Sequence, residues 1–147
     1  MSEIKYTVEG TPSNVEPNVE SMTTSTIVTT PSGKILSIVD LLDFCYSVNE
    51  TATQVFLSIL KKRATEEEIT NELKISKAAA NRALNILLKN SLVKRTKEIG
   101  QKAGRPRYIY YVDEENITKL INDLEACVPN IKKVLESFID SMRKFRG

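Results

Sequence analysis

Ala78, Arg82, Asn85 and Lys89 follow one another at steps of four, three and four, the spacing that lines up one face of an α-helix. Their types suit the base edges of a DNA groove. An arginine bonds guanine through two donors, an asparagine pairs with adenine in the same bidentate way, and a short alanine lets the helix approach a thymine methyl. Lys77 stands at the start of that face and Asn81 at its margin. A second group, Lys102, Arg105 and Arg107, lies within or beside a stretch that contains Gly100, Gly104 and Pro106, and it suits phosphates or a minor groove. Solvated surface is the competing reading of both groups. The local charge weighs against it, because residues 74–107 hold ten bases and the single acid Glu98, in a chain whose net charge is only +2. A loop charged for solubility would mix both signs.

Catalytic chemistry has little to work with. The chain has no histidine, so the commonest general base and metal ligand is missing. Cys45 and Cys127 are too isolated for a zinc site or a secreted disulfide scaffold, and two buried free thiols are expected. A symmetric interchain disulfide through Cys127 stands as the alternative. The run Glu66, Glu67, Glu68 reads as the start of a helix, where carboxylates meet the positive end of the dipole. A nuclease would need acids gathered in a metal site, and the basic block offers Glu98 alone. The expectation is therefore no enzyme, no catalytic residue, no metal and no cofactor. No apolar run reaches the ~18 residues that span a bilayer, and no charged-then-apolar leader opens the chain, which predicts a cytoplasmic protein with no membrane partner.

The elements that must hold the basic residues are legible from period and punctuation. Residues 1–25 mix Thr, Ser, Glu, Pro and Asn and predict a disordered acidic tail. Residues 26–30, ahead of Pro31, Ser32 and Gly33, fit a short edge strand. From Ser37, the residues Ile38, Leu41, Leu42 and Cys45 recur at helical spacing. Asn49 precedes a second helix whose stripe Ala52, Val55, Phe56, Ile59 and Leu60 closes on Lys61, Lys62 and Arg63. Thr65 and Glu68 form a capping box for a third helix over 66–73, and Ser76 caps a fourth over 77–90 after a three-residue turn. Ala80, Leu84, Leu87 and Ser91 are expected to face inward.

Two β-like stretches, 92–99 and 108–112, flank the basic tip as a hairpin, with Tyr108 and Tyr110 on one face and Tyr111 on the other. Lys74 occupies a turn that often uses glycine, so a strained or differently shaped turn is expected. Helix, short turn, helix, hairpin is the order of a winged helix-turn-helix, in which the helix after the turn enters the major groove. The predicted fold is mainly α with a small β-hairpin (α+β), its DNA-binding domain spanning 26–112.

Residues 113–147 return to helical spacing. Ile117, Leu120, Leu124, Cys127, Ile131, Val134, Phe138 and Phe145 form a heptad seam with one gap at Ser141, and Ile121, Val128, Leu135 and Met142 form a second row. A face this wide needs cover. Pairing with a symmetry mate through the seam, Ile117 to Phe138, predicts a coiled-coil homodimer, while the second row serves the first helix of its own subunit. Pro129 predicts a kink or brief break near 126–128.

The run from Ser76 through Leu87, followed by Leu92-Val-Lys-Arg and Gly104-Arg-Pro-Arg-Tyr-Ile-Tyr, resembles the small winged-helix regulators of crenarchaea, which are similar to the MarR and ArsR classes. The resemblance covers about residues 31 to 145. It implies a homodimer joined by antiparallel carboxy-terminal helices, binding promoter DNA without a cofactor. By position it implies contacts from Lys77, Ala78, Asn81, Arg82, Asn85, Lys102, Arg105 and Arg107. Lys89 is added by its place on the helix face. The expected function is a sequence-specific transcription regulator on double-stranded DNA. The alternative is an abundant architectural protein with little sequence preference, which uses the same charges. RNA binding ranks below both because the helix face lacks exposed aromatics for stacking.

Overall fold

The computed structural model describes residues 28–98 and 107–146. Their order is α1 (Ile38–Tyr46), α2 (Glu50–Lys61), β1 (Ala64–Thr65), α3 (Glu66–Leu73), α4 (Lys77–Lys89), β2 (Lys94–Lys97), β3 (Tyr108–Tyr111) and α5 (Glu114–Arg146). Side chains fix where the helices begin. The Asn49 carboxamide accepts from Ala52 N–H at 2.8 Å, the Ser76 hydroxyl from Ala79 N–H at 3.0 Å, and Thr65 and Glu68 cap each other reciprocally. Asp40 accepts from both the backbone and the hydroxyl of Ser37. Each such cap stabilises its helix by about 1 kcal/mol.

The apolar stripes of α2, α3 and α4 converge on one core. Leu42, Val48, Val55, Ile69, Leu84, Leu87 and Leu92 are fully buried there, with α4 packed across α2 and α3. The sheet has the order β1-β3-β2, both pairings antiparallel, and Ala64 and Arg95 face Tyr110 from either side. β1 was not anticipated, since two residues carry no period. Thr29 and Ile35 form an isolated bridge around the Pro31-Ser32-Gly33 turn, and it stays apart from the sheet.

Lys74 adopts φ 56°, so a lysine fills the left-handed position at the end of α3. Ser91, expected inside, is exposed and also left-handed at φ 60°, because the chain turns there to leave α4 and enter the wing. Its carbonyl accepts from the buried Asn116 side chain at 2.8 Å, and Asn116 also exchanges hydrogen bonds with Asp113 at the start of α5.

Three expectations about the carboxy-terminal helix are corrected. Cys45 and Cys127 are not free thiols; they are bonded to each other within the chain, 82 residues apart in sequence, which ties α1 to α5. An interchain disulfide is excluded by the same bond. Pro129 does not break the helix, and α5 runs as one element of 33 residues, about 50 Å, since one missing N–H leaves its neighbours bonded. The second apolar row does not serve the chain's own first helix. Leu120 and Leu124 of the seam pack against the chain's own core, whereas Ile121, Val128, Leu135 and Met142 are exposed.

The α1 to α5 junction is polar as well as covalent. The Tyr46 hydroxyl donates to Asp123 at 2.7 Å, and Lys119 pairs with the same carboxylate while lying 5.6 Å from the Tyr46 ring centre. Burial, and then the Asp123 carboxylate, hold the Tyr46 hydroxyl well above its ordinary value of 10.0. The hydrogen bonds from Lys119 and Tyr46 hold Asp123 below 3.8. No helix among the described residues is long and apolar enough to cross a membrane.

Candidate nucleic-acid interface

Helix α4 is divided cleanly by burial. Ala80, Ala83, Leu84 and Leu87 anchor it in the core, and Lys77, Ala78, Asn81, Arg82, Asn85 and Lys89 are all exposed on its other side. The expected contact set of this helix therefore shares one accessible surface. That surface is also internally ordered: the Asn85 amide donates to the Asn81 carbonyl oxygen at 3.2 Å, and the Asn81 amide donates to Glu66 at 3.3 Å.

The wing contributes from its two strands. Lys102 and Arg105 lie outside the described residues. Arg107 sits where the hairpin closes, with its backbone carbonyl accepting from Glu98 N–H at 2.8 Å. Its guanidinium stands 3.5 Å from Glu67 and 3.3 Å from Glu98, so it is held between two carboxylates rather than standing alone. Lys94 points the other way, bonding Asp113 at 2.8 Å and also Glu115. Those two partners raise its pKa, and Lys94 in turn lowers that of Asp113. Lys94 thus joins the wing to α5, removing one charge from the basic block.

Alternation along β2 brings Arg95 and Lys97 to the exposed side of the wing, with the Arg95 guanidinium 4.1 Å above the Tyr108 ring. Neither residue was in the expected contact set, although strand alternation opposite Lys94 would have selected both. Between α3, α4 and the wing lies an open cleft of about 790 Å³, lined among others by Lys77, Asn81, Arg95, Arg107 and Tyr108. Glu66 and Glu67 line it too. Sequence reasoning had assigned them only to a helix start, because the residues that they meet are 15 and 40 positions away.

The residues expected at a dimer interface fall into two groups. Leu120 and Leu124 are half-buried in their own subunit, Cys127 is bonded to Cys45, and Ile131 is half-buried. Ile117, Val134 and Phe138 are exposed, the last two by 72% and 59%.

Three helices, a three-stranded sheet with a basic wing, and an exposed polar face on the helix after the turn define the class, a winged helix-turn-helix protein of the DNA-binding transcription-regulator type. Within that class, the chain belongs to the TFIIE alpha subunit family, which matches residues 44–138. Its fold is similar to the ST1889 protein of the thermoacidophilic archaeon Sulfolobus tokodaii, at 28% identity and a TM-score of 0.55, covering 65% of this chain and 92% of that one. It is also similar to a possible transcriptional regulator from Methanosarcina mazei, at 15% identity and a TM-score of 0.61, covering 79% and 96%. Among functionally curated proteins, none matches the chain.

Proposed function

We propose that this protein is a sequence-specific transcription regulator that binds double-stranded DNA as a homodimer, with α4 in the major groove and the wing on phosphates or in the minor groove. The observation that carries the reading is the exposed row Ala78, Asn81, Arg82, Asn85 and Lys89 on a helix whose other side is locked in the core. A helix so anchored presents base-reading groups at low entropic cost. Lys77 at its start, with Arg95 and Lys97 on the wing, supplies phosphate contacts that fix register. Dimerisation is supported by the exposed apolar residues of α5, and two copies bring two recognition helices to one duplex.

The test is binding of the purified protein to its own promoter and to a random duplex as a function of salt, together with its solution mass. The reading expects a dimer, affinities that fall steeply as salt rises, and a promoter preference of about a thousandfold. Equal, salt-sensitive binding to both duplexes would replace it with the architectural reading. Absence of binding at low salt would overturn both.

A further inference from the structure

Carboxylates on a surface that binds a polyanion weaken binding to every sequence alike. Two of them face this one. Of the acids that open α3, Glu68 closes the cap with Thr65, but Glu66 and Glu67 reach away from their own helix. Glu67 meets Arg107 of the wing, and Glu66, half-buried at the edge of the cleft, meets Asn81 of α4.

The geometry of the second contact has a direction. An ionised carboxylate has no proton to donate, so the end of the Asn81 amide that faces Glu66 must be its NH₂. The carbonyl oxygen of Asn81 then points along α4, one turn on, and accepts from the NH₂ of Asn85. Asn85 is left with one free N–H and its carbonyl oxygen, a donor beside an acceptor, which is the complement of the adenine edge in the major groove. Without Glu66, either amide could turn over and present its groups in the opposite order.

We propose that Glu66 is a positioning residue for sequence recognition: through Asn81 it fixes the orientation of the Asn85 amide, and so the base that Asn85 reads. The inference rests on the DNA-binding reading given above. Its cost is weaker binding to DNA of any sequence, and its return is discrimination.

Two variants separate this role from a simple charge effect, measured on the promoter and on a random duplex alongside thermal unfolding. Glu66→Gln removes the charge and can donate as well as accept, so random-duplex affinity should rise a few-fold while the promoter preference falls by about tenfold. Glu66→Asp keeps the charge but shortens the reach, so random-duplex affinity should hold while the preference falls by a similar factor. In an Asn81→Ala background the chain of amides is already cut, and Glu66→Gln should raise both affinities equally and leave their ratio unchanged. A promoter preference retained in both single variants would overturn this proposal alone. A wild-type protein that binds the two duplexes equally would overturn the sequence-specific reading, and this proposal with it.

Discussion

The two halves of α5 have the same period and opposite fates. Over its first four turns the helix is fastened to its own subunit by Asn116 to Ser91, by Lys94 to Asp113, by Tyr46 to Asp123 and by the Cys45–Cys127 bond. Among the described residues beyond Cys127 only Ile131 is even half-buried, and Val134, Phe138 and Phe145 stand 72%, 59% and 85% exposed. A helix that shows this much apolar surface over several turns is unusual in a lone subunit. Apolar spacing marks a face to be covered without saying by what. The polar and covalent ties are what assign the first half to the subunit itself. The second half is left uncovered, and it is the face that the proposed dimer would close.

That contrast can be broken at either half, and the largest effect is expected in the free one. Phe138→Glu places a charge on the exposed face of both copies and should weaken the dimer on the order of 10,000-fold, shifting the solution mass to that of a monomer. Thermal unfolding of the winged domain should change little, because Phe138 touches none of its core. A variant that stays dimeric at low concentration would move the interface elsewhere.

Next in size is the fastened half. Cys127→Ser releases a closed loop 82 residues in span, which costs about 4 kcal/mol by chain entropy and should lower Tm on the order of 10 °C. Reducing agent should do the same to the wild type. On a nonreducing gel the wild-type chain should run as a monomer, since both cysteines are used within the chain. An unchanged Tm would show that the junction is held by its packing.

The smallest expected effect is the pH response of the same junction. Asp123 and Asp113 have lowered values, so the stability that they contribute is complete above about pH 4 and is lost as pH falls through those values. Tyr46 has a raised value, so its contribution is complete below pH 10.0 and is lost as pH rises through the raised one. With no histidine in the chain, stability should be nearly flat between these limits. Tyr46→Phe should lower that plateau by about 1 kcal/mol and reduce the alkaline loss. A wild-type profile that sloped through neutral pH would point to a group outside this junction.

The local signals in the sequence translated directly into structure. Thr65 with Glu68, Asn49 and Ser76 cap helices where their spacing to the next donor placed them. The inward row of α4 was legible from Ala80, Leu84 and Leu87, and failed at Ser91 because the helix had already ended. Packing of α5 on α1 was expected, but through the second apolar row, and which residues of distant segments meet was not legible. Nothing about Cys45 or Cys127 alone indicates that α1 and α5 lie side by side. Glu66 and Glu67 looked complete as a helix start, and only the tertiary fold carries them to Asn81 and Arg107. Lys94 counted as one more base until Asp113 and Glu115 met it. The exposed face of α4 was readable because periodicity alone decides it, whereas the electrostatics of the wing depend on partners that periodicity does not name.

Whether α4 reads sequence is measured most directly by the promoter-to-random affinity ratio of Arg82→Ala beside that of the wild type. Arg82 is exposed in the middle of the face, so its removal should leave the fold and the dimer intact. The ratio should fall by tenfold or more, about what one lost base contact costs, while random-duplex affinity drops only a few-fold. An unchanged ratio, with both affinities reduced together, would contradict it and leave α4 as a phosphate-binding surface.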